Sequence, residues 1–184
     1  RNASSRRSTS AASCAADSET RSRAVLCGTV GGRIAGTKMP RAIRIHEHGG
    51  PEVLRYDEVA SEALGPRQVR IRHTAIGINF IDTYERTGLY PSKLPVVLGR
   101  EGAGVVTEVG RQVTQIVPGD RVAYALNATG AYAEERVIDA SRVVPLSATV
   151  SDQQAAAIML KGLTAWFLLR RCHKVRAGEP VLLH

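Results

Sequence analysis

From Arg41 onward the hydrophobic and polar positions keep a short period. The segments "AIRIHEHG", "VLRYDEVA", "QVRIRHTAIGI", "GVVTEVG", "DRVAYAL" and "YAEERVI" alternate apolar with polar residues or carry β-branched clusters, as half-buried strands do. Turn formers separate them: "GGPE", "LGPR", "VPGD" and "NATG". Short strands at this spacing predict a small barrel or sandwich. Beyond Ser151 the pattern changes. Ser151 is a predicted N-cap with Asp152 in the first turn. The run "DQQAAAIMLKGLTAWFLLRRCH" then predicts two helical pieces meeting near Lys161 and Gly162, with Trp166 and Phe167 as core. After "RAGEP", the residues "PVLLH" read as a buried strand that has just begun. A β-rich region followed by helix and strand predicts a barrel leading into a βαβ domain. If that domain bound a dinucleotide, its glycine turn would follow the strand directly, and the sequence stops at His184.

Composition narrows the function classes. A chain of 184 residues, 43% of them hydrophobic, can bury one substantial core. No apolar run approaches the roughly 18 residues of a membrane span. The net charge of +8 is unevenly placed: residues 1–38 hold seven basic and two acidic side chains, and the rest hold 18 basic and 15 acidic. The interleaved basic and aromatic stripe of a nucleic-acid surface is missing from that balanced part, so no dedicated nucleic-acid partner is expected. The Ser/Arg-rich leader, residues 1–38, suits a transit peptide for organelle import; equally, "MPRAIRI" at 39 reads as a natural start. Of three cysteines, two lie in the leader, and no C-x-x-C pair occurs. Neither a disulfide framework nor a thiolate zinc site is supported, and a reducing, cytoplasmic compartment fits. His46 and His48 lie two apart on an expected strand, a surface pair without a third ligand.

The stretch "NFIDTYERTGLYP", Asn79 to Pro91, reads as a loop holding two tyrosines, an acid, an amide and an arginine but no nucleophile. Phe80 and Ile81 have the character of core residues. Glu101 in "GREGAGVV" fits a strand-end salt-bridge partner, and its glycines suit close approach of backbone more than phosphate binding, since no helix follows.

In order, "HGGPEVL", "AIGINFIDTYERTGLYP", "LGREGAGVVTEVG", "GDRVAY", "GAYAEERV", "AAAIMLKGLTAWFLL" and "GEPVLLH" resemble the NADPH-dependent quinone oxidoreductases, the zeta-crystallin-like, zinc-free branch of the medium-chain dehydrogenase/reductase superfamily. The likeness runs from about Pro40 to His184; "GDRV" alone would indicate only the superfamily, whereas "NFIDTY" with "KGLT" is selective. It implies a mainly β fold with some α: a GroES-like barrel over 39–160 as the catalytic domain, then 161–184 as the linking helix and first strand of an incomplete Rossmann domain. Zinc alcohol dehydrogenases of the superfamily place a Cys ligand where Asn79 stands and a His ligand where Arg100 stands. An amide and a guanidinium do not suit Zn2+, so no metal is expected.

The activity implied is hydride transfer from NADPH to a quinone or other small electrophilic acceptor. Such an acceptor needs little Lewis-acid help, and the protein's task is to hold ring against acceptor at roughly 3–3.5 Å. The resemblance implies Asn79, Asp82, Tyr84 and Tyr90 as the catalytic set. It implies Asn79, Phe80, Ile81, Asp82, Lys161 and Thr164 at the cofactor, and Tyr84, Tyr90 and Arg100 around the substrate, with Asp82 and Arg100 pairing to fix the loop. A chain lacking the glycine turn is expected to bind NADPH poorly and to leave the apolar face of helix 151–172 exposed. The full-length protein is expected to be a homodimer. Two alternatives stand beside this: reduction of enoyl or other α,β-unsaturated carbonyl compounds, and a non-catalytic GroES-like binding module.

Overall fold

The structure, a computed structural model, describes residues 39–125 and 128–182; the leader lies outside them. The described residues form eight strands: β1 (Arg41–Ile45), β2 (Arg55–Glu58), β3 (Gln68–Gly77), β4 (Val96–Val97), β5 (Glu101–Val109), β6 (Arg121–Ala125), β7 (Glu135–Asp139) and β8 (Val144–Pro145). Helix α1 spans Phe80–Thr87 and α2 spans Asp152–Phe167. The strands make a three-stranded sheet ordered β2-β1-β4 and a five-stranded sheet ordered β7-β3-β5-β6-β8, all paired antiparallel.

One segment, residues 132–134, joins the two sheets. Ala42 bridges Ala133. Ile43 N–H donates to Tyr132 O (2.7 Å), Glu134 N–H to Arg41 O (2.8 Å) and His73 N–H to Glu134 O (2.9 Å). Backbone between β1 and β3 is thereby satisfied on both sides, and the sheets close on each other as a partly open barrel.

The alternation read from the sequence explains the core. In β3, Val69 and Ile71 are fully buried while Arg70 and Arg72 point outward. They meet Val106, Val122, Tyr124 and Ile138 from the neighbouring strands. The Tyr124 ring is buried as well, and its hydroxyl lies 2.7 Å from His73 Nε2; His73 Nδ1 is 2.6 Å from Ala133 O. A carbonyl can only accept, so Nδ1 carries the proton and Nε2 accepts from the tyrosine.

Helix α2 docks through small residues. Ala155 and Ala156 are buried against Ala103 and Ala123, and a Cβ on Gly77 would strike the Ala156 carbonyl oxygen. Ser151 caps α2 and forms a capping box with Gln154. Asp152, in the first turn as expected, accepts from Thr74 Oγ1 (2.6 Å) and from Arg121 Nε and Nη2 (2.9 and 2.7 Å). The Thr74 hydroxyl first, and Arg121 with it, hold the Asp152 carboxyl below the usual range.

Five expectations are corrected. The stretch after Asn79 is a helix, α1, begun at an extended Asn79 and stopped at Gly88 with φ +82°. The two helical pieces are one: α2 runs through Lys161 and Gly162, because a single glycine costs a helix only about 1 kcal/mol, and it ends in a π-turn over Leu168–Cys172. Residues 180–182 are not in a strand, and the rest of that expected strand, residues 183–184, lies outside the described residues. Trp166 and Phe167 are not core: they are half-exposed, with Leu163 and Leu168 beside them, as the expected apolar face. His46 and His48 follow the end of β1 and separate: His46 Nε2 meets Asp57 Oδ2 (2.7 Å), and His48 Nδ1 meets the Glu85 carbonyl (3.1 Å).

Candidate active site

Helix α1 turns its polar residues inward. Asn79, Asp82 and Glu85 are buried, whereas Phe80 is 81% exposed, so the reading of Phe80 as core is also overturned. Each buried group has a partner. Asp82 Oδ2 accepts the Asn79 N–H (2.9 Å) and the Tyr132 O–H (2.8 Å). Burial, and then the Asp82 carboxylate, push the Tyr132 hydroxyl well above its ordinary range, so it stays a donor. Arg100 pairs with Glu85 and not with Asp82, as had been expected; the i+3 acid on α1 faces the start of β5, while Asp82 is committed to the helix N-terminus.

At the head of β5, Glu101 is fully buried. Its Oε1 accepts from Asn79 Nδ2 (2.7 Å) and Lys161 Nζ (3.1 Å), and its Oε2 from the Leu160 N–H (2.6 Å). Lys161 Nζ also donates to Ile78 O (3.2 Å). The carboxylate thus ties α1, β5 and α2 at one point, beyond the strand-end role read for it.

Beside this point lies an open groove of about 650 Å³, lined by Ile78, Asn79, Phe80, Ile81, Leu160 and Lys161 among others. Asn79, Phe80, Ile81 and Lys161, expected from different parts of the sequence, are brought together here. Thr164 sits one turn further along α2, donates to Leu160 O (2.8 Å) and lines a second patch with Trp166 and Phe167. Tyr84 and Tyr90 form an edge-on pair with ring centroids 5.5 Å apart and do not line the groove. A further cleft of about 490 Å³ beyond Ile78 is lined by Ile43, Tyr56, Ile76 and Tyr132 among others; the Asn79 groove is larger, at about 650 Å³, and gathers four of the expected cofactor residues, so it is the stronger candidate. Among the described residues no group of three or more His, Cys, Asp or Glu side chains could hold a metal ion.

Sequence reading passed over Tyr132 and Glu85. The only available signal for Glu85 was its place one turn after Asp82; Tyr132 gave none.

Known proteins share this arrangement's sequence and fold. The profile of the alcohol dehydrogenase GroES-like domain matches residues 65–148. A quinone oxidoreductase of Pseudomonas aeruginosa is 50% identical over 147 residues, which cover 79% of this chain and 45% of that one. A 2-haloacrylate reductase of a Burkholderia species is 45% identical over 152 residues, covering 79% and 46%. Among solved structures, Escherichia coli quinone oxidoreductase in complex with NADPH superposes with a TM-score of 0.73 at 46% identity, covering 76% of this chain and 43% of that one. The chain spans a little under half the length of the relatives it matches. With a GroES-like domain and this level of identity, the chain is similar, over the length they share, to the quinone oxidoreductases of the medium-chain dehydrogenase/reductase superfamily.

Proposed function

We propose that the full-length protein reduces quinones with NADPH, without zinc, at the groove between α1 and α2. The observation that carries this is the convergence of Asn79 and Lys161 on one apolar-walled groove through a shared buried carboxylate. The relatives' names and the NADPH complex of the Escherichia coli protein support the choice of cofactor and acceptor.

When bound, NADPH would supply a hydride from its reduced nicotinamide, and one proton from solvent would balance the reduction of the quinone to the hydroquinone. The chain's own residues bind and orient. Phe80, Ile81 and Leu160 offer apolar walls for planar rings. Asn79 contributes an amide at a fixed position, held by Asp82 on its backbone N–H and by Glu101 on its side chain. Lys161 brings a cation to the groove edge, and the Thr164 hydroxyl is assigned to the cofactor one helical turn on. Tyr84 and Tyr90 are assigned to the acceptor with Arg100, whose pairing with Glu85 makes it a support for α1 in this structure. The zinc-free reading is supported by the chemistry at these positions: Asn79 and Arg100 offer neither thiolate nor imidazole, and the carboxylates beside them, Glu101 and Glu85, are taken by N–H donors. Residues 39–160 are proposed as the catalytic domain and 161–184 as the lead into a cofactor domain that covers the exposed α2 face. The full-length protein is proposed to be a cytoplasmic homodimer.

A second reading is favoured by the 2-haloacrylate relative: the same hydride delivered to an activated C=C bond. A side-by-side assay separates the two. NADPH consumption by the full-length protein is followed with a p-quinone, a 2-haloacrylate and an enoyl thioester. Turnover fastest with the quinone is expected; absence of quinone turnover refutes the proposal, and preference for either of the others selects the second reading.

A further inference from the structure

We propose that Glu101 is a positioning residue that fixes the polarity of the Asn79 amide. The inference rests on the groove being the reactive site, as proposed above. All three partners of the Glu101 carboxylate are donors: an amide N–H2, an ammonium and a backbone N–H. Both oxygens must therefore accept, and both are placed where water cannot substitute, since the residue is 0% exposed. An Asn amide has two faces of opposite hydrogen-bonding sense. With an acceptor 2.7 Å away, only the N–H2 can face β5, and the carbonyl oxygen is turned to the other side, toward the first turn of α1, where the Asp82 carboxylate accepts the Asn79 backbone N–H. A flipped amide would set oxygen against a carboxylate and N–H2 against backbone N–H. The ligand therefore meets one fixed arrangement of the Asn79 amide.

The Lys161 contact extends the same control. Its ammonium meets three oxygens, Glu101 Oε1, Ile78 O and Ala157 O, and its side chain remains 55% exposed. Glu101 thus sets both the amide and the cation at the groove edge, without itself lining it. It touches no ligand in this scheme, so it positions and does not react.

A carboxamide at 101 has one acceptor where two are needed. In Glu101→Gln, the new oxygen can serve the Leu160 N–H and the new N–H2 then faces Asn79, which must flip or lose its bond. Asn79→Asp alone sets two carboxylates face to face. Combined as Asn79→Asp/Glu101→Gln, the acceptor of the pair is at 79 and the donor at 101, the local charge is as in the natural protein, and an oxygen again faces α1. The double variant is expected to recover what each single variant loses.

Two measurements test this. In the 184-residue chain, the side-chain N–H2 protons of Asn79 are followed by NMR. Slow exchange with solvent and a displaced shift for one proton are expected, both lost in Glu101→Gln. Exchange at the rate of a free amide in the natural chain overturns the proposal even if no variant folds. In the full-length protein, each single variant is expected to lower kcat/KM for NADPH on the order of tenfold to a hundredfold, with the double variant regaining most of it. Equal or additive loss in the double variant gives Glu101 a merely structural role and overturns the proposal. If the natural protein shows no turnover while the Asn79 protons are protected, the proposed function fails and the amide lock stands.

Discussion

In the barrel interior, Val69, Ile71 and Val122 are fully buried, and the polar groups among them, His73 and Tyr124, bond each other. Along α1 the assignment is reversed: Asn79, Asp82 and Glu85 are buried while Phe80 is exposed, and across the groove Glu101 is sealed in while Ile158 of α2 lies open. Folding alone favours the first arrangement, because apolar burial contributes about 25 cal/mol per Å² and a buried charge costs free energy unless fully paired. The second arrangement costs stability and leaves an apolar, polar-edged surface. Its buried acids are spent on holding one amide, one cation and one helix end in place, which is the expected layout of a surface that meets a ligand or another domain.

Four changes probe this contrast, in falling order of effect. Ile71→Ala empties a site in the barrel and is expected to lower the unfolding free energy by about 3–4 kcal/mol in urea denaturation. Gly77→Val inserts a side chain between β3 and α2, where the Ala156 carbonyl and Glu101 leave no room; a loss of about 2–3 kcal/mol is expected, with the near-UV signal of Trp166 altered as α2 lifts. The third concerns pH. Burial lowers the His73 imidazole from 6.5 to about 4, so the folded state holds it neutral. The unfolded chain takes up this proton as pH falls below about 6.5, and the folded chain only near 4. Stability is therefore full at neutral pH, declines on acidification through that window and levels off below it. The decline is about 2 kcal/mol between pH 7 and pH 5, and His73→Phe is expected to be less stable at pH 7 but to lack this part of the slope. Smallest is Phe80→Ser: unfolding free energy within about 0.5 kcal/mol of the natural chain, with less self-association by light scattering.

How much of this was legible in the sequence follows the same divide. The strands were readable because each half-buried segment shows its alternation locally; β4 and β8, two residues each, carry no period and exist only through β1 and β6. Helix α1 was missed although its signals were present, with Asn79 and Asp82 at capping-box spacing and Gly88 at the stop: eight residues with two buried acids have no apolar stripe to announce them. Gly162 looked like a break because glycine is a poor helix former, yet the alanines and leucines around it outweigh one such cost. The members of the groove were found through family resemblance, which marks Asn79 and Lys161. What joins them was not readable, since a lone acid beside glycines does not say that it will meet an amide 22 residues before it and a backbone N–H 59 residues after it. Asp82 with Arg100 was a reasonable pair by charge, and the helix turn that brings Glu85 to Arg100 instead is a property of α1, which had to be seen first.

On this reading the reversed face serves ligand handling and the barrel serves stability. The most direct test compares Asn79→Ala with Ile71→Ala in the full-length protein, measuring kcat/KM for NADPH with a quinone and unfolding free energy on the same samples. Asn79→Ala is predicted to lose about tenfold or more in kcat/KM at a stability cost of only about 1–2 kcal/mol, whereas Ile71→Ala should lose more stability and keep the kcat/KM of its folded fraction. Natural kcat/KM in Asn79→Ala would mean that the reversed face plays no part in ligand handling.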